Sequence, residues 1–127
     1  MDKATMVSID VSLGAELLEV LDRAHLKVSV ALWMYLSEYE DWRLVIAGRP
    51  FDSPDPRGAY RLIHDSLVAG GFKPQKTPPV LILPMNDPFI KEIRRIFGKT
   101  RSVEGTRLGG QMIGDRFVQD AYVYRIS

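Results

Sequence analysis

The spacing of apolar residues near the start of the chain predicts an amphipathic helix. Leucine, valine and alanine recur every three or four positions between Leu13 and Ala24, and most of the charged residues fall between them. Ser12 stands just before this run, where its hydroxyl can accept a hydrogen bond from the first helical turn. We therefore expect a helix over residues 13–25.

A period-two pattern follows and predicts an antiparallel β-hairpin. Apolar and bulky side chains alternate along residues 28–36, and residues 42–47 form a second β-rich run after a polar tip at 37–41. Because both faces of the first strand carry bulky side chains, we expect it to lie inside a sheet and to be covered on both sides.

Two aspartate-proline pairs predict the starts of two further helices. Asp55 and Asp87 each precede a proline, which places a capping carboxylate before a residue suited to the first helical turn. The apolar spacing that follows predicts helices over 57–69 and 88–97. Gly98 is expected to end the second of these helices in a left-handed conformation.

The remaining apolar runs complete a mixed sheet. Residues 80–83 are apolar on both faces and bounded by prolines, so we expect a buried central strand. The helix before it acts as a crossover, which makes this strand parallel to residues 42–47. Residues 107–113 and 116–126 predict a closing hairpin. We therefore predict a single α+β domain over residues 1–127, with a roughly five-stranded mixed sheet, three helices and the order α-β-β-α-β-α-β-β.

Composition narrows the class of protein without indicating an activity. The 127 residues fit one domain, and the lack of cysteine excludes disulfides, thiolate metal sites and a thiol nucleophile, so cytoplasm is the default location. The longest apolar run, residues 28–36, falls short of the ~20 residues that a membrane-spanning helix needs. We expect a soluble protein with no membrane association, and we recognise no export signal.

No pattern of catalytic or metal-ligating residues emerges from the chain. His25 and His64 are the only histidines, and neither has a ligand neighbour at the spacing that a metal site needs, so we expect solvated or capping roles. Glu38, Glu40 and Asp41 cluster at the hairpin tip, where solvation and turn formation explain them. We predict no catalytic residues, no metal and no cofactor.

The net charge of +1, from 17 basic and 16 acidic residues, conceals an uneven distribution. Residues 65–127 hold 10 of the basic and 6 of the acidic residues. Six cations concentrate between positions 91 and 107, and we treat them as a candidate anion-binding set: Lys91, Arg94, Arg95, Lys99, Arg101 and Arg107. The alternative is a solvated helix face with cations placed near the helix C-terminus.

Aromatic residues mark a second candidate surface, for contact with another subunit. Tryptophan and tyrosine are enriched in interface cores. Strand positions give four candidates: Trp33, Tyr35, Tyr122 and Tyr124. The alternative is that these rings fill the hydrophobic core.

Three functional hypotheses follow. The first, favoured by elimination, is a small non-catalytic binding or protein-interaction domain, with homodimerisation through the sheet aromatics as one form of it. The second is a nucleic-acid or phosphate-binding protein that uses the basic segment 91–107. The third is an enzyme whose site is assembled from dispersed Asp, Glu and His side chains.

Overall fold

Helices cover both faces of a five-stranded mixed sheet. The computed structural model describes residues 3–100 and 102–127, with side chains from residue 11 onward. The predicted α+β class and element order are confirmed, although each strand of the closing hairpin is divided in two. In chain order the elements are α1 (Lys3–Arg23), β1 (Val30–Leu36), β2 (Asp41–Ala47), α2 (Pro56–Ala69), β3 (Val80–Ile82), α3 (Pro88–Phe97), β4 (Arg107–Leu108), β5 (Gln111–Ile113), β6 (Arg116–Val118) and β7 (Ala121–Ile126).

The sheet has the strand order β3-β2-β1-β7-β4. β1 and β2 pair antiparallel in full register, from Val30 opposite Ala47 to Leu36 opposite Asp41, as the alternation predicted. β2 and β3 run parallel, so α2 is the crossover that the sequence indicated. β7 pairs antiparallel with β1 on one side and with β4 on the other.

β1 is the middle strand, and both of its faces are buried as predicted. One face contributes Leu32 and its even-numbered neighbours to a core under α3 and the β5–β6 hairpin. The opposite face carries Ala31 and Trp33 into a second core under α1 and α2. Because neighbouring side chains on a strand point to opposite faces, one strand supplies both cores.

β3 lies at the edge of the sheet, so its predicted central position is wrong. Its residues are only half-buried, although Leu81 packs against one core and Val80 and Ile82 pack against the other. The outer edge of β3 is occupied at one point, because the Ile82 backbone N–H donates to Tyr60 Oη on α2 at 3.0 Å. The side-chain bond satisfies a backbone donor that would otherwise be open to another strand.

α1 begins at Lys3, about three turns before the predicted start at residue 13. Ser12 therefore lies inside the helix, where its side chain is exposed, and it does not cap the first turn. A polar residue on the solvent side of a helix resembles a start signal when the preceding turns carry little apolar periodicity. In the described part of the chain no helix, α1 included, combines the length and apolarity needed to cross a bilayer.

The predicted caps of α2 and α3 are confirmed. Asp55 Oδ1 accepts from the Arg57 N–H at 3.1 Å, and Asp87 Oδ1 accepts from the Phe89 N–H at 2.9 Å. Gly98 ends α3 with φ −62° and ψ −20°, which is right-handed, so the predicted left-handed ending is wrong. Its N–H continues the helical pattern by donating to the Arg94 carbonyl at 2.7 Å.

The closing hairpin turns at Gly114 and Asp115 as expected, but it divides between two sheets. Its outer part, β4 with β7, belongs to the main sheet, whereas β5 and β6 form a separate two-stranded sheet. Gly110, at φ +69°, lies at the division and adopts a conformation that side chains disfavour. A Cβ on Gly114 would lie 2.6 Å from the Pro88 carbonyl oxygen, so the tip packs closely on the start of α3.

A β-bulge in β7 sets the contact between α1 and the sheet. Ala31 and Leu32 are consecutive on β1 but lie opposite Arg125 and Val123, which leaves Tyr124 as the extra residue of β7. The Trp33 indole Nε1–H donates to Tyr124 Oη at 3.0 Å. Tyr124 Oη–H donates in turn to the Val11 carbonyl of α1 at 2.5 Å. This chain of hydrogen bonds joins β1, β7 and α1.

Gly14 allows α1 to lie against this pair of rings. A Cβ at Gly14 would be 2.3 Å from Tyr124 Oη and 2.9 Å from Trp33 Nε1. We expect Gly14→Ala to lower the free energy of unfolding by about 1–3 kcal/mol, because an extra methyl group would overpack the contact. Chemical denaturation measures the change, and Tyr124→Phe in the Gly14→Ala background should recover part of the loss.

Gly58 in α2 is the matched control, because a Cβ there would meet only Ser53 Oγ, at an ordinary 3.6 Å. Gly58→Ala should raise the free energy of unfolding by about 0.4–1 kcal/mol by restricting the unfolded chain. Equal effects of the two substitutions would contradict the proposed close contact at Gly14.

Candidate functional site

A cavity of about 720 Å³ opens beside the ends of β2 and β3. β2 and β3 are parallel, and α2 and α3 follow them on opposite faces of the sheet. The first turns of both helices therefore lie at the carboxyl ends of these two strands, where they line the cavity together with residues 51–54. The carboxyl ends of parallel strands are where open sheets with helices on both faces bind ligands.

The floor of the cavity is apolar. Phe51 and Ala59 are buried beneath it, and Ile82 and Met85 are half-buried at its side. Pro84 adds a further apolar wall from the segment that joins β3 to α3. A surface of this kind favours an apolar body over a fully hydrated ion.

Two side-chain hydrogen bonds hold the walls of the cavity together. Tyr60 Oη accepts from the Ile82 N–H at 3.0 Å, which joins α2 to β3. Asp52 Oδ1 accepts from the Met85 N–H at 3.0 Å, which joins the segment after β2 to the segment after β3. Both bonds use the oxygen as acceptor, so the Tyr60 hydroxyl proton and Asp52 Oδ2 take no part in them.

Two cations of α3 line the opposite wall. Lys91 and Arg94 are three residues apart on one helix, so they share a side of it, and both border the cavity. Arg94 Nε donates to the Ser127 backbone oxygen at 2.7 Å. Within residues 11–100 and 102–127, neither cation forms a salt bridge with an Asp or Glu side chain.

Two other members of the predicted anion-binding set are already paired with carboxylates. Arg95 Nε donates to Glu92 Oε1, and this hydrogen bond lowers the pKa of the Glu92 carboxyl. Arg107 on β4 holds Asp120 through Nη2, at 2.8 and 2.9 Å from the two carboxylate oxygens. These pairings neutralise both guanidinium groups locally.

The structure thus brings two of the six predicted cations together, Lys91 and Arg94. Lys99 is exposed beyond the end of α3 and does not border the cavity. Arg101 lies outside the described residues. On the apolar face of α3, Ile90 and Ile93 are buried, whereas Ile96 is 44% exposed.

His25 has a structural explanation in the backbone that ends α1. It lies at φ +62°, and its N–H donates to the Asp22 carbonyl at 3.0 Å while the Leu26 N–H donates to the Leu21 carbonyl at 3.0 Å. These are the two hydrogen bonds of a Schellman motif, with His25 in the left-handed position that glycine usually takes. The capping role predicted for His25 agrees with this geometry.

His64 and the hairpin-tip carboxylates lie on the surface. His64 is exposed, with Nδ1 3.4 Å from Asp65 Oδ1. Asp41 accepts from the Trp42 N–H at 2.8 Å, and Glu38 lies 3.8 Å from Arg116 Nη1. In the described part of the chain, no three His, Asp or Glu residues are grouped so as to hold a metal ion.

The four candidate interface aromatics are distributed between core and surface. Trp33 is 1% exposed and has no surface left for a partner, so core filling explains it. Tyr35 packs edge-on against Trp42, with ring centroids 5.9 Å apart. Tyr122 and Tyr124 pack in the same manner at 5.3 Å, and all three tyrosines are half-buried.

Sequence reasoning missed the residues that form the cavity. Asp52 and Tyr60 meet Met85 and Ile82 only through the β2–α2–β3 crossover, and they resemble ordinary loop and helix-surface residues in the sequence. The available signal was indirect: two proline-led helices, each following one of a pair of parallel strands.

Comparison with protein-family models, curated proteins and solved structures finds no match in any of the three. No activity can therefore be transferred to this chain from a relative.

His25→Gly should raise the free energy of unfolding by about 0.5–1 kcal/mol, because glycine adopts the left-handed conformation without the steric cost that a Cβ imposes. The reciprocal variant is Gly71→His, since Gly71 has φ +86° at the equivalent position after α2 and no atom lies within 4 Å of an added Cβ. Thermal or urea unfolding should show opposite signs for the two variants. A loss of stability in His25→Gly would mean that the imidazole makes an essential contact.

Proposed function

We propose that the protein is a small-molecule binding domain whose site is the cavity between α2, β3 and α3. The observation that carries this proposal is the combination of an apolar floor with a few polar groups around it, in a cavity of about 720 Å³. Ligand sites in proteins usually have volumes of about 300–1,000 Å³ and this kind of lining. The two hydrogen bonds that fix Ile82 and Met85 support a preformed site.

Binding is better supported than catalysis by the groups that line the cavity. Lys91 and Arg94 are suited to hold an anion, and Asp52 is engaged as the acceptor for the Met85 N–H. Neither His25 nor His64 borders the cavity. A nucleophile hydrogen-bonded to a base, which would support an enzyme, is not found among the described lining residues.

Self-association and cytoplasmic location stay predictions. Homodimerisation now depends on the half-buried tyrosines, because Trp33 is enclosed in the core. Sedimentation over a concentration series distinguishes a monomer from a dimer. Neither property is required for binding in the cavity.

Nucleic-acid binding through segment 91–107 is the second candidate, favoured by the absence of an Asp or Glu partner for Lys91 and Arg94 among the described residues. Two or three phosphate contacts would make the affinity for a DNA duplex fall with salt at a log–log slope of about −2 to −3. Fluorescence anisotropy of a labelled duplex at several salt concentrations measures the slope. A lack of binding at low salt would exclude this candidate.

Met85→Trp should fill the cavity and abolish ligand binding, because Met85 borders it at the sheet edge. The assay is ligand-observed NMR with a panel of small aromatic and aliphatic acids, amines and neutral amides. Met112→Trp is the matched control, since Met112 is 63% exposed on β5, away from the cavity. We expect saturable binding of some panel members to the original protein and to Met112→Trp, and none to Met85→Trp.

A second blocking variant keeps the test valid if Met85→Trp does not fold. Ser53→Trp introduces the same ring at an exposed lining position. Thermal unfolding establishes that each variant is folded before binding is measured. Failure of every panel member to bind the original protein, or undiminished binding to both folded blocking variants, would contradict the proposed function.

A further inference from the structure

We infer that the cavity takes a compact organic anion, with an apolar body and one carboxylate or phosphate group. The inference rests on the proposed binding function and adds the charge and size of the ligand. Its basis is the juxtaposition of two cations on one wall of a cavity with an apolar floor. The apolar body would lie on Phe51 and Ile82, and the anionic group would face Lys91 and Arg94.

The balance of charge in the cavity is positive. Lys91 and Arg94 contribute two positive charges, and Asp52 is the one carboxylate among the lining residues. Glu92 is the nearest acidic residue along α3, and it is paired with Arg95. Lys91 therefore has no Asp or Glu counterion among the described residues, and a bound anion would supply one.

Arg94 is held in place before a ligand arrives. Its Nε donates to the Ser127 oxygen at 2.7 Å, which restricts the rotation of the side chain and leaves the two Nη groups for other acceptors. A guanidinium that is already oriented loses less conformational entropy when it binds a carboxylate or phosphate. Lys91, one turn earlier on the same side of α3, adds a second donor.

The N-termini of α2 and α3 are not the groups that we expect to bind the anion. Asp55 and Asp87 already accept hydrogen bonds from the first turns of α2 and α3, so a carboxylate occupies each of these positions. Side chains of α3 are therefore the groups that select a negative ligand. The apolar floor of the cavity also favours a compact molecule over a polymeric backbone, whose phosphates are spread along an exposed chain.

The experiment compares probes that share one apolar body and differ in charge. Naphthoate, naphthyl phosphate and the neutral naphthamide are titrated into the full chain, and affinity is measured by calorimetry or NMR. We expect at least one anion to bind about tenfold or more tightly than the amide. Lys91→Gln should reduce that preference severalfold, because it weakens binding of the anions more than binding of the amide. Preferential binding of naphthoate or of naphthyl phosphate identifies the head group.

Two further lysine variants test whether the cavity or general surface charge is responsible. Lys27→Gln is the matched control, because Lys27 is exposed and does not border the cavity. Lys99→Gln removes a charge from the predicted basic segment outside the cavity. Both should bind the three probes as the original protein does.

The outcomes separate this inference from the proposed function. Equal affinities for the anions and the amide, all lost in Met85→Trp, would overturn the anion inference and leave small-molecule binding intact. An effect of Lys99→Gln as large as that of Lys91→Gln would also overturn it, because the preference would then come from the basic surface. Absence of binding by the three probes and by the whole panel would overturn both.

Discussion

The burial of β1 on both faces is the constraint on which the remaining architecture depends. A strand with apolar side chains on both sides is stable only if each face is covered. α1 and α2 cover one face, and α3 with the β5–β6 hairpin covers the other. α2 and α3 follow two neighbouring parallel strands and pack on opposite faces of the sheet. Their first turns therefore diverge at the carboxyl ends of these strands and line the cavity. The candidate site is therefore a consequence of how the core is covered.

The two faces are assembled by different means. On the α1 side, a chain of hydrogen bonds from Trp33 through Tyr124 to the Val11 carbonyl fixes the helix, and Gly14 provides the space. This contact needs the bulge at Tyr124, which shifts the alternation of β7 so that both Val123 and Ile126 reach the opposite core. On the cavity side, Tyr60 and Asp52 use single hydrogen bonds to backbone N–H groups. These exposed contacts fix the walls of the cavity without filling it.

Local signals in the sequence predicted the local structure well. The β1–β2 hairpin follows from alternation, and the starts of α2 and α3 follow from Asp55 and Asp87. The position of β3 could not be derived in this way, because an apolar strand at a sheet edge covered by helices has the same pattern as a central one. The bulge in β7 depends on contacts between distant residues. The same limit applies to the site. The charge pattern predicted six candidate cations, and Lys91 and Arg94 are among them. Only the structure shows that these two border the cavity.

The most direct test of the central claim is a map of backbone amide chemical shifts during titration with naphthoate. The amides of Ile82 and Met85 are sensitive reporters, since each donates to a side chain in the wall of the cavity. The proposed site predicts saturable shifts at these two amides and along the first turns of α2 and α3, with none in the β5–β6 hairpin. Shifts confined to another surface, or none at saturating probe, would contradict the assignment of the cavity as the binding site.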